Sequence, residues 1–270
     1  MKKILKLIGK IIGGLVGLLL LAFAASYVIG TVKWNRIRET VHNVPVEKIT
    51  IPTDQASIAR GEHIATIRMC KDCHTENWSG QSDSVPGLIT LSIPNLTSGV
   101  GGAGATNTDE DLADLIAYLK SLPPVDNEPP KTELGPLGRV MMTLGQLPPE
   151  LTEPDATVID HDAPRPVAPQ PGVTVEYGMY LARTCTLCHG SELNGQTIFD
   201  GSVALNLTPG GEMKGWSEED FITTMRTGVT PSGHQLKAVM PWKYFGQMTD
   251  AELKAVWLYL QSLPALPQGQ

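Results

Sequence analysis

Only four cysteines occur in the 270 residues, and aromatic side chains make up 6% of the chain. All four cysteines fall in two short clusters, so none is left over for a structural disulfide. Basic residues are scarce beyond the N-terminus. Residues 1–40 hold seven Lys/Arg and one Glu, which leaves 14 basic and 27 acidic side chains in residues 41–270, a balance of −13. That excludes nucleic acid as a partner for this part and steers it toward a partner with a basic face. No charge at all is found from Ile11 to Val32, and no methionine between His74 and Pro123.

The cysteines that are present stand in Cys70-Lys-Asp-Cys73-His74 and Cys185-Thr-Leu-Cys188-His189. Cys-x-x-Cys-His is the pattern of a c-type haem attachment site, in which two thiols bond the vinyl groups of one porphyrin and the next imidazole reaches the iron. A zinc site or a redox-active dithiol is the competing reading. The His that follows each pair argues for haem. So does the 115-residue separation of Cys70 and Cys185, since paired zinc motifs usually lie some 15–20 residues apart. Two haem c groups are therefore expected, with His74 and His189 as proximal ligands. Haems that fill much of each core also account for the few aromatics and the many prolines.

Lys2, Lys3, Lys6 and Lys10 precede the 22 charge-free residues Ile11–Val32, and Lys33, Trp34, Arg36 and Arg38 follow them. The run is long enough to cross a bilayer as a helix. A cleaved signal peptide is the alternative, with Ala22-Phe23-Ala24 as its processing site. The apolar run continues past that site through Tyr27, Val28 and Ile29, which favours an uncleaved anchor. Positive charge before the run puts the N-terminus in the cytoplasm and the rest on the outer, periplasmic side of the cytoplasmic membrane.

The reading divides the chain into the basic end, anchor and interface (1–40), a tether (41–57), a first haem domain (58–124), a proline-rich linker (125–171) and a second haem domain (172–267). Each motif has a helical leader containing Gly and is followed by a Gly-rich loop. Then comes a repeated signature: Ile93-Pro94-Asn95-Leu96-Thr97 and Ala204-Leu205-Asn206-Leu207-Thr208. Each half closes with a helix. Thr108 and Asp111 frame the first, with Leu112, Leu115, Ile116 and Leu119 as its stripe; Thr249 and Glu252 frame the second, with Leu253, Val256, Trp257 and Leu260. Both end in Ser-Leu-Pro, where proline forbids continuation. The chain reads as a tandem duplication.

Helix, Cys-x-x-Cys-His, Asn-Leu-Thr loop and closing helix together resemble the class I cytochrome c fold. The whole is similar to membrane-anchored dihaem cytochromes c of bacteria, related to the cytochrome subunits of periplasmic dehydrogenases. The resemblance covers roughly residues 58–124 and 172–265. It implies an all-α fold with an N-terminal transmembrane helix and two such domains, the first shortened. It also implies a methionine as second axial ligand just before the closing helix. In the second half that position is Met240, in Val-Met-Pro-Trp; Met213, Met225 and Met248 fit it less well, and Trp242 and Tyr244 are expected to pack on the haem.

The first half departs from the pattern. Asn206 to Tyr259 spans 53 positions but Asn95 to Tyr118 only 23. About thirty residues are missing, corresponding to Trp216–Pro241, and the expected methionine goes with them. Three readings stay open for haem 1: a linker methionine, Met141 or Met142, in a short helix from Leu134 to Leu147 laid across the two domains; a histidine, His63 or His161; or an open sixth position.

Functionally, the residues imply an electron carrier rather than an enzyme. Its redox partner is a quinol-oxidising complex, a terminal oxidase or a dehydrogenase in a respiratory or photosynthetic chain. An open haem 1 that reduces peroxide or binds a gas is the enzymatic alternative, and a subunit docked on a periplasmic dehydrogenase is the third reading.

Overall fold

A computed structural model describes residues 2–40, 49–97, 109–147, 167–198 and 201–269. Its elements are α1 (Lys2–Glu39), α2 (Gln55–Ile67), α3 (Cys70–His74), β1 (Gln81–Val85), β2 (Ile89–Ile93), α4 (Asp109–Ser121), β3 (Glu133–Leu134) and α5 (Pro136–Thr143). They continue with α6 (Val175–Ala182), a 3-10 turn (Arg183–Cys185), α7 (Thr186–His189), β4 (Gln196–Thr197), β5 (Val203–Ala204), α8 (Glu218–Thr227), α9 (Trp242–Phe245) and α10 (Asp250–Ser262). The protein is mostly helical, but the all-α expectation needs correcting. An antiparallel sheet β1–β2–β3 and a two-strand ribbon β4–β5 are also present. Strand β2, Ile-Thr-Leu-Ser-Ile, alternates apolar and polar residues after a Pro86-Gly87 turn in which Gly87 takes φ +75°, a hairpin signal that the helical reading passed over.

The described elements fall into two units. The first comprises residues 1–48, 79–102 and 125–164. Its spine is α1, a single helix running well beyond the charge-free stretch and long and apolar enough to cross a membrane. Arg36 and Arg38 in its last turn suit the negative end of the helix dipole. Trp34, Ile89, Leu134 and Met142 form the buried core of this unit. Helix α5 opens with Pro136 at its first turn, where the missing N–H costs nothing. It confirms the expected short helix near 134–147, but its packing partner is α1. Gly30 admits the α5 backbone so closely that a Cβ there would lie 1.9 Å from the Arg139 carbonyl oxygen.

The second unit comprises residues 49–78, 103–124 and 165–270. Helix α2 begins inside the expected tether, because Asp54 caps it by accepting from the Ser57 N–H at 2.9 Å. Two helix crossings organise the unit. Where α2 meets α4, a Cβ on Gly61 would lie 2.0 Å from the Asp114 carbonyl oxygen and 2.9 Å from Tyr118 Cβ. Where α6 meets α10, a Cβ on Gly178 would lie 1.9 Å from the Ala255 carbonyl oxygen and 2.9 Å from Tyr259 Cβ. The two contacts use the same register. Thr249 and Glu252 form the anticipated capping box at the start of α10. Leu253, Val256 and Leu260 of the expected stripe are buried. On α4 the buried face turns to Ala113, Leu115, Ala117 and Tyr118; Thr108, its expected cap, lies outside the described residues, as does His161.

Candidate functional site

The second motif sits at the end of α6, where the 3-10 turn passes into α7. His189 is 9% exposed, and its Nδ1 lies 2.7 Å from the Leu205 carbonyl oxygen. A carbonyl only accepts, so Nδ1 carries the proton and Nε2 keeps its lone pair. Burial holds the imidazole below its usual pKa, only partly offset by the Leu205 hydrogen bond, which keeps it neutral, the form that ligates metal. A ring oriented by a backbone carbonyl with its other nitrogen free is how a proximal ligand is presented to iron. Burial pushes the Cys185 thiol up to about 11. Such a thiol is a poor thiolate nucleophile or metal ligand at neutral pH, which suits a thioether bond better than redox exchange.

Met240 lies partly buried against the same core that Cys185 and Leu207 border, whereas Met213, Met225 and Met248 are enclosed within it. The turn holding Met240 is tight: the Trp242 N–H donates to the Met240 carbonyl at 2.8 Å, and the Trp242 indole covers Gly228, where a Cβ would come within 2.4 Å of the ring.

The first motif occupies α3, entered through Met69 in the left-handed region at φ 57°. Cys70 is half-buried and Cys73 exposed, and burial raises the Cys70 thiol. Backbone geometry repeats between the two motifs. Thr75, Trp78 and Gly80 take positive φ after the first, and Gly190, Leu193 and Gly195 after the second, each 115 positions on. Trp78 and Leu193 are both buried despite that conformation. The two Asn-Leu-Thr signatures also share one hydrogen-bond pattern. Asn206 Nδ2 donates to the Leu266 carbonyl at 2.7 Å, its Oδ1 accepts from the Thr208 N–H, and Thr208 Oγ1 accepts from the Leu266 N–H. Asn95 Nδ2 donates to the Val125 carbonyl at 2.7 Å, its Oδ1 accepts from the Thr97 N–H, and Thr97 Oγ1 accepts from the Val125 N–H. In each case Asn and Thr pin the chain that leaves the closing helix, two residues after its proline.

The second unit also joins the surroundings of the two motifs. His63 Nε2 lies 2.9 Å from both carboxylate oxygens of Glu252, while the Tyr180 hydroxyl donates to the Asp111 carboxylate. These pairs are reciprocal. His63 and Tyr180 each stand two residues after the crossing glycine of a leader helix, and Glu252 and Asp111 each stand three residues before the contacted carbonyl of a closing helix. Arg68 Nη1 donates to Thr184 Oγ1 at 2.6 Å, and the guanidinium lies 5.1 Å from the Tyr180 ring centroid. The Tyr244 hydroxyl, four residues after Met240, donates at 3.3 Å to Asp72 inside the first motif. These links were invisible in the sequence, although the paired glycines and acidic helix starts stood at matching positions.

The linker methionines belong to the first unit. Met142 is enclosed with Trp34, Ile89 and Leu134, and Met141 is partly exposed on α5. The engagement of His63 by Glu252 accounts for that histidine without any role at a metal.

Comparison with known proteins places these observations. Residues 177–264 match the Cytochrome c family model. The chain is also 24% identical over 106 residues to the "Fructose dehydrogenase cytochrome subunit" of Gluconobacter japonicus, a match that covers 35% of this chain and 22% of that protein. Residues 177–264 thus correspond to a cytochrome c domain, and such a domain implies covalently bound haem c and electron transfer.

Proposed function

We propose that the protein is a membrane-tethered dihaem cytochrome c that passes electrons on the outer side of the cytoplasmic membrane. The observation that carries it is the repetition around both motifs of one backbone pattern, one glycine-mediated helix crossing and one Asn–Thr staple. A second haem domain, undetected by family comparison, explains that repetition directly. Cys70 and Cys73 hold haem 1 and Cys185 and Cys188 hold haem 2, with His74 and His189 as proximal ligands. A haem c at each motif supplies reversible one-electron iron chemistry.

The side chains divide the remaining work. Leu205 orients His189, and His189 and Met240 would hold the iron of a haem at the second motif, a ligand pair that would favour the reduced metal and leave it closed to exogenous ligands. Arg68, Thr184, Tyr180 and the two carboxylate pairs hold the two attachment turns in one unit, which favours electron passage between them. The first site has no methionine of its own. Met142 serves a different core, and Met141 shares an α5 face with Leu137 and Leu144, so we assign haem 1 an open or exchangeable sixth position rather than a linker methionine.

The similarity to a dehydrogenase cytochrome subunit favours one partner class among those the sequence allows: a dehydrogenase to which this chain supplies the electron exit. The acidic outer domains then meet a basic face, and association weakens as salt rises.

Haem count and topology test the reading. Intact mass and the pyridine haemochrome spectrum are expected to give two covalent haems per chain, falling to one in C70S/C73S. A single haem in the unaltered protein, unchanged by that double substitution, would overturn it.

A further inference from the structure

We propose that α5 and the turn after it form a second membrane-contacting element, seated against α1 in the boundary between phospholipid headgroups and acyl chains. The inference rests on the reading of α1 as an uncleaved anchor. The charge-free run Ile11–Val32 extends about 33 Å at about 1.5 Å per residue, close to the ~30 Å of a hydrocarbon core. Val32 therefore marks the outer edge of the span.

Helix α5 runs antiparallel to α1 and passes below that edge. Arg139 lies against Gly30, and the Thr143 hydroxyl donates to the Ser26 carbonyl at 2.8 Å. Ser26 lies six residues inside Val32, about 9 Å along the helix axis. Ser26 and Gly30 stand four residues apart on one face, the small-residue spacing that lets helices approach closely in lipid. The end of α5 and Leu144 thus reach the depth at which interfacial helices bury their apolar side, about 5–10 Å.

What α5 exposes at that depth is apolar. Leu137 is 48% exposed and Leu144 61%; with Met141 they occupy one face at spacings of four and three. At the same level α1 exposes Val28, Ile29 and Val32. The charged group of α5, Arg139, is satisfied within the protein, as a lipid setting demands. The Arg139 guanidinium donates to the Leu134 carbonyl at 2.9 Å, to Thr31 Oγ1 at 3.1 Å and to the Glu133 carboxylate, and it lies over the Tyr27 ring. Its charge is paired with the Glu133 carboxylate of β3. In water the Leu137 and Leu144 face would be an unexplained apolar surface; beside a transmembrane helix its occupant is lipid.

The test uses the full-length haem-loaded protein in phospholipid nanodiscs, with one added cysteine per variant, since the native four are consumed by haem. Modification by a charged, membrane-impermeant maleimide is followed by intact mass. Ser82→Cys on the exposed β1 strand is expected to react fast, Leu20→Cys within the span not at all, and Leu144→Cys at least ten-fold slower than Ser82→Cys. Leu144 is largely uncovered by protein, so slow reaction reports lipid. Fast reaction of L144C with L20C still protected would overturn the proposal while leaving the anchor standing. Fast reaction of L20C would remove the anchor reading, and this proposal with it.

Discussion

The two motif regions share their framework and differ in what stands between the Asn-Leu-Thr staple and the closing helix. Both have a leader helix crossing a closing helix through a glycine, three positive-φ residues in the same places after the motif, and an Asn–Thr pair that ties down the chain beyond the closing helix. Among the described residues, only the second has α8, the turn at Met240 and α9 between its staple and its closing helix. The shared framework is therefore separable from the part that holds Met240, the proposed sixth ligand. Losing about thirty residues removes the latter and leaves the former intact.

The largest expected effect tests that separation at the metal. Carbon monoxide added to the reduced protein is expected to bind half of the haem, the half at the first motif. Met240→Ala should raise that fraction from one half to all, with loss of the near-infrared methionine-to-iron band of the oxidised form. A wild-type protein inert to carbon monoxide would show that haem 1 has found a sixth ligand after all, and Met141→Ala would then identify it.

Next come the crossings. Gly178→Ala and Gly61→Ala each drive a methyl into a backbone carbonyl that cannot move without parting two helices. Overpacking of this kind costs about 1–3 kcal/mol, and the near-identical contacts predict near-equal losses in denaturant titrations followed by far-ultraviolet circular dichroism. A tolerated G61A beside a damaging G178A would mean that the first crossing is looser than the second. The staples make a parallel pair: Asn206→Ala and Asn95→Ala each strand buried partners, at about 1–3 kcal/mol.

Much of this framework could be read from residue order alone. Repeated Cys-x-x-Cys-His and Asn-Leu-Thr mark the two regions as alike, because a buried side-chain staple demands fixed residue types at fixed spacing. The Thr249–Glu252 cap was equally plain, being a local hydrogen-bond exchange. Sequence does not show partners chosen over long separations. Helix α5 was anticipated but its docking on α1 was not, since the match of Gly30 to the Arg139 backbone depends on shape rather than pattern. The β1–β2 hairpin was hidden by its own register: exposed β1 is polar in its first four residues, Gln81 to Ser84, so the alternation in β2 stood without a visible mate. His63 looked like a spare metal ligand until its carboxylate, 189 positions away, was located.

The smallest expected effect separates the two reciprocal links between leader and closing helices, one ionisable near neutrality and one not. The hydrogen bond to Glu252 raises the pKa of His63 against the opposing effect of burial. Burial pushes Glu252 upward, but hydrogen bonds from His63 and Thr249 outweigh it and leave the carboxyl below its ordinary value; Tyr177 also donates to it at 3.3 Å. A raised histidine contributes stability that is complete below its unfolded pKa and fades as pH climbs through the folded value. A lowered carboxyl contributes stability above its unfolded pKa that fades as pH falls through the folded one. The pair is therefore strongest between the ordinary carboxylate and imidazole pKa values of 4.5 and 6.5 and weakens toward alkaline pH. His63 is a third exposed, so its share is at most about 1 kcal/mol. His63→Gln should flatten the alkaline decline of stability between pH 6 and 9, whereas Tyr180→Phe, which removes the link to Asp111, should lower stability by a similar amount equally across that range. If both variants keep the wild-type pH slope, the His63–Glu252 link is not what makes the junction of the two motif regions sensitive to protons.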